Sequence, residues 1–266
     1  MKVSIRVAST LTLVALWAGQ ALAQTAAPAA PAPAAQAPAA AASPKAAINQ
    51  KALERLKAMG THLRSLKAFT VTADVTTDLV LDSGQKVETG STVEMAARMP
   101  NMLLVSTQSP VKSRRIYYDG KTVTVFGENL GYYGTFPAPD TIAATLEAAA
   151  KKHGIEVPLA DLFWFGTEKS NLGAITEALY TGPQRVGGVL CDNFAFRQPD
   201  VDWQVCIERG ANALPRKLVI TSTDVAERPQ RRSVLTWKAG TAPAASAFTF
   251  KPPQDAKRIA VKEMAS

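Results

Sequence analysis

A chain of 266 residues, 47% of them apolar, is long enough to bury a sizeable core in one large domain. Its 30 basic and 22 acidic residues leave a formal net charge of +8, but no basic run is interleaved with aromatic side chains, so nucleic acid is excluded as a partner class. With two histidines, two cysteines and no H-E-x-x-H, C-x-x-C or G-x-S-x-G, zinc hydrolysis, dithiol redox chemistry and the serine elbow all lack their residues. No catalytic set, metal site or cofactor is expected.

Residues 1–23 read as a secretory signal: Lys2 and Arg6 form the positive start, Val7 to Ala18 the apolar run, and Ala21-Leu22-Ala23 the cleavage site. The run is shorter than the roughly 20 residues of a membrane span, so the mature chain is expected to be periplasmic, to start at Gln24 and to carry no transmembrane segment. Cleavage removes two cations and leaves 28 basic against 22 acidic residues, a net +6. Residues 24–44, almost entirely Ala, Pro and Gln, cannot bury enough surface to offset chain entropy and read as a disordered tether. Residues 45–266 then form a single domain.

A helix is expected to open that domain at Ser43-Pro44, with Ile48, Leu53, Leu56, Met59, Leu63 and Leu66 recurring at three and four; Gly60 allows a kink. From Phe69 the period changes to two. Phe69, Val71, Ala73, Val75 and Leu79 alternate with polar residues, and after Asp82-Ser83-Gly84-Gln85 so do Val87, Val93, Met95, Ala97 and Met99, which marks antiparallel strands with one wet face. Further strands are expected at Met102–Ser109, Arg114–Tyr118, Thr122–Phe126 and Tyr132–Phe136, with Asp119-Gly120 as a two-residue hairpin turn. A helix over Thr141–His153 ends at Gly154, and Pro158 to Phe165 packs four large apolar side chains into one turn that is either a core plug or a lid over a pocket.

Strands resume at Ala178–Thr181, Gln184–Val186, Lys217–Thr223, Ser233–Trp237 and Ala247–Phe250. Between them lies the clearest hairpin in the chain. Leu190, Phe194 and Phe196 share one face of its first strand, and Trp203, Val205 and Ile207 one face of its second. If both apolar faces are one face, even-numbered residues must pair with odd-numbered ones, and Cys191 and Cys206 fall together on the polar face, opposed or one diagonal apart. In an exported chain that predicts a disulfide; the alternative is two free thiols in a slipped register. On the polar face Asp192, Arg197 and Glu208 are placed for cross-strand ion pairs. The class is α+β: a large antiparallel sheet of about ten or eleven strands, curled as so large a twisted sheet tends to be, with helices covering its dry face.

Tyr118-Asp119-Gly120-Lys121, Pro158-Leu159-Ala160-Asp161, Cys191 to Arg197, Asp202-Trp203-Gln204 and Phe248-x-Phe250-x-Pro252-Pro253 resemble a family of predicted periplasmic proteins, domain of unknown function 2092, over most of residues 50–260. That family in turn looks distantly like the lipoprotein-carrier superfamily of LolA and LolB type. The resemblance implies a half-barrel with helices on the concave face around an apolar cavity for acyl chains. Where the family pattern has a second aromatic after Asp202-Trp203-Gln204, this chain has Cys206.

On that reading the candidate cavity walls are Phe69, Val71, Val93, Met95, Phe194, Phe196, Trp203, Val205 and Ile207, and the lid candidates are Leu162, Phe163 and Trp164, with plain core the default for any single one of them. The expected function is that of a periplasmic binding or carrier protein for a lipid, acyl chain or lipidated protein. Two other readings compete with it: a sensor or adaptor module that docks an envelope protein, and a hydrolase using Asp200, Asp202 or Glu208.

Overall fold

The computed structural model describes residues 48–264; the expected signal segment 1–23, the tether 24–44 and the Ser43-Pro44 helix start lie outside the described residues. Two meanders build one open sheet. The first comprises β1 (Ala68–Val80), β2 (Lys86–Arg98), β3 (Met102–Gln108), β4 (Ser113–Tyr118), β5 (Thr122–Gly127) and β6 (Tyr132–Pro137). The second comprises β7 (Glu177–Val186), β8 (Val189–Gln198), β9 (Val201–Glu208), β10 (Pro215–Ser222) and β11 (Gln230–Ala239). β1 and β11 pair at the centre, so the order is β12-β6-β5-β4-β3-β2-β1-β11-β10-β9-β8-β7, with the short β12 (Lys257–Arg258) lying parallel to β6. The sheet has twelve strands, one or two more than the alternation alone indicates.

The consecutive strands β6 and β7 therefore occupy opposite ends of the sheet, and residues 138–176 have to travel from one to the other. They do so over the inner face, carrying α2 (Ile142–His153) and three single 3-10 turns at Ala160–Phe163, Glu168–Ser170 and Leu172–Ala174. Thr141 caps α2, whose last turn is basic, and Gly154 ends it in the left-handed conformation at φ 62°. On the same face α1 (Gln50–Ser65) buries Ala52, Leu56, Met59 and Leu63. These side chains join Phe69, Val71, Val93, Met95, Ile142, Leu146, Phe194 and Val205 in one continuous core. No helix among the described residues is long and apolar enough to cross a membrane.

α1 begins later than Ser43-Pro44 implies. The side chain of Asn49 accepts from the amide of Ala52 at 3.2 Å, and Ile48 is drawn out of the helix into a bridge with Ala178 of β7. Gly60 lies within an unbroken α1. A Cβ there would lie 2.6 Å from the Cα of Gly166, so the glycine lets α1 and the crossing segment touch backbone to backbone; one turn on, Arg64 Nη1 donates to the carbonyl of Phe165 at 2.9 Å.

Register in the β8–β9 hairpin joins even to odd numbers: Phe194 to Val205, Phe196 to Trp203, Asn193 to Cys206 and Cys191 to Glu208. The cysteines are thus one diagonal apart, bonded, with Cα atoms 5.5 Å apart. They are fully buried on the outer face with Val186 and Val234, so that face is not uniformly wet. The expected strands Ala178–Thr181 and Gln184–Val186 are one strand, β7, whose register shifts between Tyr180 and Gly182. Leu79 and Val87 continue the apolar alternation but are exposed, because the β1–β2 hairpin projects past the end of β11.

Ala247–Phe250 is not a strand. After β11 the chain meets strands whose neighbours are already taken, so it has no edge to pair with and crosses the outer face. A 3-10 turn at Ala245–Phe248 buries Phe248 completely. Phe250 then packs on Tyr117, Phe126 and Tyr133, with ring centroids 5.3, 5.4 and 4.9 Å away. The tail continues past β6 and returns to α2, where the amide of Met264 donates to the carbonyl of Lys152 at 2.7 Å.

Two stability predictions follow from this packing. Gly60→Ala, which helix propensity alone would favour by about 1 kcal/mol, is expected to destabilise by about 1–3 kcal/mol in urea titration, because the segment at Gly166 must retreat. Replacing both Cys191 and Cys206 by Ser removes a bridge closing a 15-residue separation. On the chain-entropy model this is worth about 3 kcal/mol, read as a Tm lower by roughly 6–12 °C with the fold retained.

Candidate ligand-binding clefts on the inner face

The crossing segment does not form a continuous lid; it leaves a cleft on each side of one tryptophan. Leu162 and Phe165 are buried in the core, Phe163 packs at a tilt against Phe69 with ring centroids 5.9 Å apart, and Phe165 packs likewise against Trp203 at the same distance. Trp164 is only partly buried, and it lines both clefts together with Asp161. Its indole Nε1 is a buried donor without a partner among the described residues.

The first cleft, about 210 Å³, lies between this turn and the upper ends of β8, β9 and β10. Its floor is Trp203, Leu218 and Ile220, with Leu172, Val201 and Phe165 on the sides. Trp203 is fixed by stacking on Phe196 at 4.3 Å and by donating from Nε1 to Gln198 Oε1 at 3.0 Å; Gln198 Nε2 in turn donates to the carbonyl of Asn171. The second cleft, about 460 Å³, lies between the turn, α2, β4 and β11. Leu146, Ala150, Val157 and Pro158 supply its apolar wall, and Arg114, Arg231, Asp161 and Glu156 its charges.

Polar contacts hold the turn in place. Asp161 pairs with Arg231 across to β11 at 3.2 Å, Lys169 pairs with Glu147 of α2, and Arg64 holds the Phe165 carbonyl. Lys151 and Lys169 together pull the Glu147 carboxyl down to a pKa of about 2. Burial pushes the Asp161 carboxyl above its ordinary value, and Arg231 opposes that shift without reversing it. Burial likewise pushes the Arg114 guanidinium below its ordinary value.

Of the nine residues expected as cavity walls, Trp203 lines the first cleft. Phe196 borders, with Trp203, a smaller depression of about 190 Å³ beside Arg197 and Asp202. Phe69, Val71, Val93, Met95, Phe194, Val205 and Ile207 sit in the common core. Among the expected lid residues Trp164 stands at the clefts, while Leu162 and Phe163 pack inward.

Sequence reading missed Arg114 and Arg231. Both are in phase with the buried face of their strands, Arg114 with Ile116 and Tyr118, and Arg231 with Ser233, Leu235 and Trp237. An arginine at a dry-face position was the available signal. The expected ion pairs form with other partners. Asp192 pairs with Arg209, Glu208 with Arg216, and Asp202 with Arg197 and Arg228. The Asp202 carboxyl is held below its ordinary value, chiefly by hydrogen bonding to Arg197, the opposite of what a general acid needs.

Residues 52–262 match the profile of a family described as "Predicted periplasmic protein (DUF2092)". No protein of curated function matches by sequence. Among solved structures, the lipoprotein LppX of Mycobacterium tuberculosis is similar at 9% identity and a TM-score of 0.47, over 74% of this chain and 99% of that one. The MucA/MucB complex of Pseudomonas aeruginosa gives 15% identity and 0.44, over 76% of this chain and 61% of that one. A LolA superfamily protein from Nitrosomonas europaea gives 10% and 0.37, over 75% and 97%. All three scores are below one half.

The Asp161 contact carries a pH prediction. A carboxyl whose pKa is raised by folding favours the folded state when protonated. That contribution is present below its unfolded value of 3.8 and is lost as pH rises through the folded value. Asp161→Asn, which keeps the shape and cannot ionise, is expected to be more stable than the wild type at neutral pH, with the gap closing toward pH 4 in urea titrations. A variant less stable at neutral pH would mean that the pair with Arg231 outweighs the burial of the charge.

Proposed function

The chain belongs to the DUF2092 family of predicted periplasmic proteins, and from that premise we propose that it is a periplasmic binding protein that holds a lipid, acyl chain or lipidated protein against the inner face of its sheet. The observation that carries this reading is the position of Trp164. It lines two clefts, one floored by Trp203, Leu218 and Ile220 of the sheet and the other walled by Leu146, Ala150, Val157 and Pro158 of α2 and the crossing segment, on a turn tied to β11 by the Asp161–Arg231 pair. At about 210 Å³ the first cleft is smaller than the roughly 300–1,000 Å³ of small-molecule sites. An acyl chain therefore enters when the Trp164 turn swings aside and the two clefts join. Each methylene taken from water contributes about 0.8 kcal/mol, which over a long chain offsets loss of the turn's polar contacts and of the burial of Leu162 and Phe165.

The adaptor reading is less well supported. Strand addition needs a regular free edge. At one end of the sheet β7 has a register shift at Tyr180/Gly182 followed by Pro183, and at the other β12 occupies the edge of β6.

The test is native mass spectrometry of protein purified from a bacterial periplasm, with lipid extraction of the same sample. The expected result is an acyl species in stoichiometric amount, lost in Ile220→Glu, which puts a charge on the floor of the first cleft at a partly exposed position. A protein that stays empty when offered fatty acids, phospholipids and lipopeptides would sink the proposal.

A further inference from the structure

The second cleft contains a cation that no carboxylate among the described residues pairs with. Arg114 projects from β4 at a position whose neighbours in phase, Ile116 and Tyr118, are core. Its guanidinium is half-buried, and its one hydrogen bond among the described residues runs from Nη2 to the backbone carbonyl of Glu156 at 3.0 Å. No carboxylate is in ion-pair contact with it among the described residues; the Glu156 carboxylate, farther off, offsets only part of the burial. A charge withdrawn from water without a partner is unfavourable, and such groups persist where something else compensates them. The other charged pair of the cleft is already matched, since Arg231 is engaged by Asp161. Trp164 borders the same cleft, although its unpartnered indole N–H is itself buried. A half-buried guanidinium with one backbone acceptor and no carboxylate partner thus lines a space of about 460 Å³ whose other walls combine apolar side chains with Asp161, Arg231 and Glu156.

We propose that this cleft is the headgroup site of an anionic amphiphile, in which Arg114 receives a carboxylate or phosphate oxyanion while the attached alkyl chain runs past Trp164 into the first cleft. The proposal rests on the carrier reading and adds the ligand's charge to it. A guanidinium binds both oxyanions through paired N–H donors, so carboxylate and phosphate are the shared chemistry. A neutral lipid would leave Arg114 as poorly matched as it is now.

The test compares three probes of equal chain length on the intact protein at neutral pH, followed by tryptophan fluorescence and calorimetry: hexadecanoate, hexadecyl phosphate and hexadecanol. The wild type is expected to prefer one or both anions over the alcohol by about tenfold or more, as one charge-assisted contact predicts. Which anion binds more tightly separates a fatty acid from a phospholipid-type ligand. Arg114→Gln is expected to erase that preference while hexadecanol binding stays within about twofold, and Arg114→Lys to keep part of it. Thermal unfolding of Arg114→Gln is expected to match or exceed that of the wild type, because a half-buried charge has been removed. Equal affinity of the wild type for all three probes, or a preference that survives in Arg114→Gln, overturns the headgroup site and leaves the carrier reading standing. Failure of every probe to bind overturns the headgroup site, and the carrier reading falls with it if phospholipids and lipopeptides also fail.

Discussion

The rest of the structure depends on a topological constraint: β6 and β7 are consecutive in the chain but lie at opposite ends of a twelve-stranded sheet. The connection must cross a whole face, and the apolar side of the sheet is the face that gains by being covered. α2 and the 3-10 turns of residues 138–176 are that cover. Because the crossing is one chain thick, it seals the inner face unevenly, which is why clefts flank Trp164 instead of a closed core. The candidate site is thus a by-product of connectivity, made useful by the residues placed along the crossing.

The two faces are stabilised in different ways. The inner face relies on α1, α2 and the crossing turns, packed into one apolar core. The outer face is held by smaller devices: the buried Cys191–Cys206 bridge under the β8–β9 hairpin, and the C-terminal strap that seats Phe248 and Phe250 before its tail reaches the end of α2. The strap links the outer cover to the inner one around the β6 edge. By contrast, the turn around Trp164 adds ion pairs to its buried Leu162 and Phe165, so its movement costs part of the core as well as those pairs.

Much of the sheet was legible because its information is local. Alternation located β1 through β6 and the β8–β9 hairpin, and parity of the two apolar faces predicted even-to-odd pairing with the cysteines opposed or one diagonal apart; the structure pairs Phe194 with Val205 and sets the cysteines on the diagonal. Pairings between distant segments were not legible. Nothing in Phe248-x-Phe250 says that every neighbouring edge is already taken, and nothing in Gly60 says that Gly166 lies against it. The site was legible in part. Trp164 and Trp203 stand out as large aromatics near turns, but whether each is core or wall depends on packing that period and propensity do not encode. Arg114 and Arg231 did carry a signal, a charge in phase with a buried face, which is easily passed over when charged residues in a strand are assigned to solvent.

The most direct measurement is a crystal structure of the protein grown with hexadecanoate brominated at its terminal carbon, with the bromine located by anomalous scattering. The account predicts a bromine peak within van der Waals contact of Trp203 or Ile220, with the turn around Trp164 displaced from its ligand-free position. Bromine bound only on the outer face or at the exposed tip of the β1–β2 hairpin, with the Trp164 turn unmoved, would contradict it.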